Sequence, residues 1–170
     1  MKTNYVLIDY ENVQPDAIAM LDKEHFKVIV FVGANQAKVT FEVASTLQRM
    51  GERAEYVRIN GNGANALDFH IAFYIGQIVA REPEAYFHIV SKDTGFDPLI
   101  QHLKTKKVLC CRSRDVTEIP LVKVANSKSP DEKIAVIIGD LKRRGASRPR
   151  TAKTLSSTIN SIFQKQLPEK

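Results

Sequence analysis

Five short apolar runs, each followed by a segment of helical period, narrow the fold of this chain more than any other feature. The runs are Tyr5–Asp9, Val28–Val32, Ala54–Ile59, Tyr86–Val90 and Val108–Cys111. Helical spacing covers Pro15–Leu21, Ala37–Met50, Ala66–Arg81 and Phe96–Lys104 between them. Pro15 suits a helical first turn, Gly51 a stop and Asn65 an N-cap. Several runs are continuously hydrophobic, which requires cover on both faces of a sheet. Strict strand–helix alternation then predicts an α/β fold, a three-layer parallel sheet with right-handed crossovers. Ligands of such sheets bind beyond the carboxyl ends of the strands, where the strand order reverses.

The acids collect at that end. YVLIDYEN ends the first run at Asp9, with Asn12 three residues on, and YFHIVSKDTGFDP ends the fourth at Ser91, Asp93 and Asp97. Asp68 opens the third helix, just after the glycine-rich NGNGANALD. If the first and fourth strands are neighbours, Asp9 and Asp93 meet. A hard cation such as Mg²⁺ needs only a few converging carboxylates and keeps several waters. Asp9, Asp68, Asp93 and Asp97 are therefore the candidate metal-ligating and catalytic residues for metal-assisted phosphodiester hydrolysis. Asn12, Ser91 and Thr94 can hold water or a substrate phosphate. Gly61 and Gly63 permit close backbone approach to a phosphate ahead of a helix N-terminus. Asn35 and Lys38, after the second strand, reach the same edge, with Lys38 as a point charge for phosphate. Each residue has an ordinary alternative as a cap, a first-turn acid or a polar loop residue.

Charge divides the chain. Residues 1–118 hold 14 Lys and Arg against 15 Asp and Glu, net −1, whereas residues 119–170 hold 11 against 4, net +7. The excess includes Lys142, Arg143, Arg144, Arg148, Arg150 and Lys153, which predicts a polyanion partner, with Arg148 and Arg150 as candidate contacts. Ser129-Pro130-Asp131-Glu132 reads as a capping box opening a helix to about Arg143, stopped by Gly145. RPRTAKTLSSTINSIFQKQL then suggests two short helices, with Leu155, Ile159, Ile162 and Phe163 as apolar contacts. The organisation expected is a domain over residues 1–118 and a small basic helical extension over 119–170. No apolar run approaches a membrane span or a signal peptide, so no membrane partner is expected. The adjacent Cys110 and Cys111 exclude a disulfide framework and favour a cytoplasmic setting.

DYEN at Asp9–Asn12, NALDF at Asn65–Phe69 and SKDTGFDPLI resemble the NYN branch of the PIN-like nuclease superfamily, over roughly residues 1–115. The resemblance implies a Rossmann-like sheet of order 3-2-1-4-5 and Mg²⁺- or Mn²⁺-dependent cleavage of RNA. Asp9, Asp68 and Asp93 become metal-binding acids and Asn12 a site-shaping residue. The family's later acid falls at Gly95 here, so Asp97 is either its substitute or a helix-start residue. The Lys that often precedes the family's mid-chain acid is missing from NGNGANALD. The tail resembles loosely the LOTUS-type RNA-binding module of some relatives. RNA, single-stranded or structured, is the expected partner, a homodimer stays open, and the hazard of a free nuclease favours an inhibitory protein partner or low intrinsic activity.

Two other readings compete. One is an RNA-binding module that kept the fold and lost turnover. The other is phosphotransfer on a receiver-like or haloacid-dehalogenase-like domain, which wants an Asp-x-Asp motif where DYEN offers Asp-x-Glu. No Walker lysine motif, GxGxxG or Ser–His–Asp relay is present. His70, about 200° round the helix from Asp68, cannot share an ion with it, and His88 reads as a strand residue.

Overall fold

The computed structural model describes residues 3–36, 38–61, 63, 65–143 and 148–163, without the side chains of Arg143 and residues 161–163. The helix start expected at Ala37, the stop at Gly145, Arg144 of the basic cluster and the Ile162 and Phe163 contacts lie outside these. The chain forms two compact units that divide between Val116 and Thr117.

The first unit is the expected parallel sheet. Its strands are β1 (Asn4–Asp9), β2 (Phe26–Val32), β3 (Ala54–Arg58), β4 (Tyr86–Val90) and β5 (Leu109–Ser113). They lie in the order β3-β2-β1-β4-β5, every pair parallel. The order reverses between β1 and β4, where Ile8 pairs with Val90. Helices α1 (Phe41–Met50), α2 (Ala66–Arg81) and α3 (Phe96–Thr105) make the crossovers. α2 has the span that its spacing predicts. It sinks Leu67, Ile71, Ile75 and Ile78 against Leu7, Phe31, Phe87 and Ile89 of the sheet, with Phe96 and Ile100 of α3 alongside.

Strand alternation then places the site. Side chains two apart share a sheet face. Tyr5 and Leu7 face α2, so Asp9 continues that row; Phe87 and Ile89 do the same, and Ser91 follows them. A crossover helix begins at the carboxyl end of the strand before it, which brings the first turn of α2 to that same edge.

Local departures have local causes. Pro15–Leu21 forms a single 3₁₀ turn, Ile18–Leu21, rather than an α-helix. Ile18 and Leu21 are fully buried three residues apart, the spacing that a 3₁₀ turn aligns, and β2 follows at Phe26. α1 begins after Thr40, whose Oγ1 accepts the Val43 N–H at 3.4 Å. Asn65 occupies the N-cap position of α2 in a left-handed conformation, φ 60°, and its side chain makes no cap hydrogen bond.

The second unit holds α4 (Pro120–Asn126), α5 (Pro130–Arg143) and α6 (Ala152–Phe163). α4 was not expected; Pro120 starts it and buried Val124 packs with Val136, Ile137 and Ile159. The Ser129 half of the expected capping box forms, its Oγ accepting the Glu132 N–H at 3.2 Å, while Glu132 Oε2 reaches one residue further back and accepts the Lys128 N–H at 2.8 Å. Where two short helices were expected, the described residues form one, α6, opened by Thr151, whose Oγ1 accepts the Thr154 N–H.

The orientation of α2 yields a contrast between two of its residues. Ile75 is 1% exposed and Phe73 61%. Ile75→Ala is expected to lower stability by about 2–4 kcal/mol in urea denaturation, and Phe73→Ala to change it by less than about 0.5 kcal/mol.

Candidate metal centre

Asp9 is 1% exposed at the end of β1, and its carboxylate is held from both sides. Oδ2 accepts the Asn12 Nδ2–H and the Ser91 hydroxyl, each at 2.7 Å, while Oδ1 accepts the Asn12 N–H at 3.2 Å. Ser91 Oγ in turn accepts the Asp93 N–H at 3.0 Å, and Asp93 Oδ1 accepts the Gly95 N–H at 2.7 Å. A chain of short bonds therefore runs from the β1 end through Ser91 to the loop after β4. It shapes that loop and sets where Asp93 stands.

Asp9, Asp68 and Asp93 line one recess of about 320 Å³, with Glu11, Asn12, Asn35, Gly61 and Gly63 around them. Their mutual field is visible at Asp68, whose carboxyl is pushed from 3.8 up to about 6. Partial burial is the main cause, followed by the charges of Asp9, Asp93 and Glu11. Glu11 is the site residue that reading the sequence overlooked, because DYEN was weighed there for Asp9 and Asn12. Its carboxylate lies over Gly33, where a Cβ would collide with Oε1, so the glycine closing β2 is the signal that marks it.

The other candidates are placed apart. Asp97 forms a two-pronged pair with Arg112, at 2.8 and 3.1 Å, and Arg112 also donates to the Ser91 carbonyl at 3.2 Å. These bonds hold the Asp97 carboxyl below its usual range. Asp97 does not line the acid recess, so of the two readings left open the helix-start role fits, with an added tie from α3 to β5. Thr94 is exposed and outside the recess, its carbonyl accepting the Asp97 N–H. Lys38 lines a neighbouring recess that shares Glu11 and Asn35 with the first. Arg148 donates to the Leu141 and Lys142 carbonyls, at 3.0 and 3.2 Å, at the end of α5, and Arg150 is exposed. His70 Nδ1 bonds the Ala66 carbonyl within its own helix, and His88 is fully buried between Asn4 and Cys111.

Among the described residues no three Asp, Glu, His or Cys groups are close enough to cage an ion by themselves. Mg²⁺ does not require that, since it binds through one or two carboxylates and keeps its waters. What fits a cation here is the donor set: four acids about one recess, where burial and then mutual repulsion raise Asp68, an unfavourable field that a divalent charge relieves.

Two outcomes are expected. Folded Asp68 keeps its proton up to about 6 whereas the unfolded chain releases it near 3.8, so its contribution to stability is full below 3.8 and is lost as pH rises through 6. In metal-free protein Asp68→Asn is expected to raise Tm at pH 7.5 and to leave it unchanged at pH 3.5, in calorimetric scans. Asp97→Asn is expected to cost about 1–2 kcal/mol of stability at neutral pH, by losing the Arg112 pair, while Mn²⁺ affinity by titration calorimetry stays within about two-fold.

No curated protein and no solved structure matches the chain in the comparisons with known proteins. A family model does: the PIN domain model matches residues 3–113, which spans the whole parallel sheet and the acid recess at its edge. With a sheet of order 3-2-1-4-5 carrying acids at its switch point, and that match over well over half its length, the chain belongs to the PIN domain family.

Proposed function

We propose that this protein is a metal-dependent ribonuclease of the NYN type, in which Asp9, Asp68 and Asp93 hold Mg²⁺ or Mn²⁺ and Glu11 adds to the field that attracts it. PIN domains are in general metal-dependent nucleases that act on RNA. The observation that carries the reading is the convergence of Asp9, Asp68, Asp93 and Glu11 on one recess at the sheet's switch point, where partial burial and then the neighbouring acids raise the Asp68 carboxyl to about 6.

A divalent ion bound there supplies charge neutralisation for the phosphodiester in the transition state. The chain's own residues do the rest. Asn12 and Ser91 hold the Asp9 carboxylate in place through hydrogen bonds of 2.7 Å, so it needs no rearrangement when substrate arrives. The Asp93–Gly95 bond holds the second acid at a set distance from the first. Gly61, at φ 93°, and Gly63 line the recess without side chains, which leaves room for a phosphate beside α2. Lys38, exposed beside the acids, offsets negative charge on the flanking backbone. The basic second unit, net +7 over residues 119–170, gathers RNA in a salt-dependent manner.

One observation favours the competing reading, a PIN fold that binds RNA without cutting. Gly95 replaces the acid that NYN-type relatives carry, and Asp97 is engaged by Arg112 instead of standing in for it.

End-labelled single-stranded RNA incubated with Mg²⁺, Mn²⁺ or EDTA separates the two. Cleavage is expected with either metal, none with EDTA, and a loss of about 100-fold or more in Asp9→Asn. RNA binding without cleavage under every metal condition selects the binding module instead.

A further inference from the structure

Beside the acid recess lies a second, larger one of about 740 Å³, within the range of small-ligand sites. The loops after β1 and β2 form it. Glu11 and Asn35 line both recesses, so the two adjoin.

Its lining has an uncommon chemistry for a cleft next to four acids. Gln14, Asn35 and Gln36 present three primary amides, each carrying a donor pair and an acceptor. Val39 adds apolar surface, and Tyr10 forms a buried backing with almost none of its own exposed. Tyr10 is held rigidly: it is 1% exposed, and its hydroxyl accepts the Thr40 N–H at 3.0 Å, which ties the β1 loop to the start of α1. Lys38 is the basic side chain among the described residues of the lining.

A ligand that suits this recess has a flat partly apolar body, an edge that pairs with amides, and a covalent link to an anion in the neighbouring acid site. A nucleobase meets all three conditions. We infer that the recess takes the unpaired base of the nucleotide next to the scissile phosphate. The amides of Gln14 and Gln36 read its edge and Lys38 meets its phosphate. The inference rests on the nuclease reading and deepens it by assigning to this recess a base preference at one position flanking the cut. A base inside a duplex has its pairing edge engaged and its faces stacked, so it cannot enter.

The test uses a pool of end-labelled single-stranded RNAs in which each of the four bases occupies each position, cut in the presence of Mn²⁺ by wild type and by Gln14→Ala/Gln36→Ala. Wild type is expected to favour one base by about five-fold or more at one position flanking the cut, as an amide–base pairing provides. The double variant is expected to reduce that bias to less than about two-fold, and Lys38→Ala to weaken all sequences alike. A wild type without base bias, or a bias that survives in the double variant, overturns the inference. If wild type cuts nothing, the nuclease reading fails separately, and anisotropy with the four homopolymeric RNAs decides the recess. A wild-type preference lost in the double variant supports it, and equal affinities overturn it.

Discussion

The buried carboxylate of Asp9 is the constraint on which the rest of the site depends. A charge that is 1% exposed persists only when its oxygens are satisfied, and three hydrogen bonds from Asn12 and Ser91 do that. Those donors are themselves placed by the sheet. Ser91 stands beside Asp9 because β4 pairs with β1 in register, and that pairing exists because the strand order reverses there. The bond from Ser91 onward to the Asp93 N–H then shapes the loop that carries the second acid. The placement of both acids is thus a consequence of one hydrogen-bonded link.

Against that fixed pair the remaining acids are a source of tension. Asp68 reaches the recess on the first turn of α2, and its carboxyl rises to about 6 because it is partly buried beside three other acids. Residues that serve stability alone would not be selected for repulsion of this kind, and strongly perturbed groups gathered in a cleft are the physical mark of a functional site. Asp97 shows the contrast. Its partner is a cation, its carboxyl is held low, and its effect is to tie α3 to β5. Similar residues a few positions apart serve opposite ends, and the sign of the neighbouring charge separates them.

Much of this was legible from local pattern. The five strands and α2 follow from apolar runs and helical spacing, and Ser129 caps α5 as its spacing implies. Asp9, Asp68 and Asp93 could be gathered on paper because each stands at the end of an element that a parallel sheet brings to one edge. What escaped was non-local or marginal. The partner of Asp97 is Arg112, on another strand, and nothing near Asp97 in sequence names it. Glu11 enters the site only because Gly33, at the end of a different strand, leaves room for its side chain. The segment from Pro15 has helix-compatible residues but too few before β2, so sheet closure limits it to one 3₁₀ turn.

The central claim is that one divalent cation is held between the ends of β1, β4 and α2. Anomalous scattering from crystals grown or soaked with Mn²⁺ tests it most directly. The account predicts a strong anomalous peak within the recess, in direct or water-bridged contact with Asp9, Asp68 and Asp93. A map with no peak there, or with Mn²⁺ bound only at other surface acids, would contradict it.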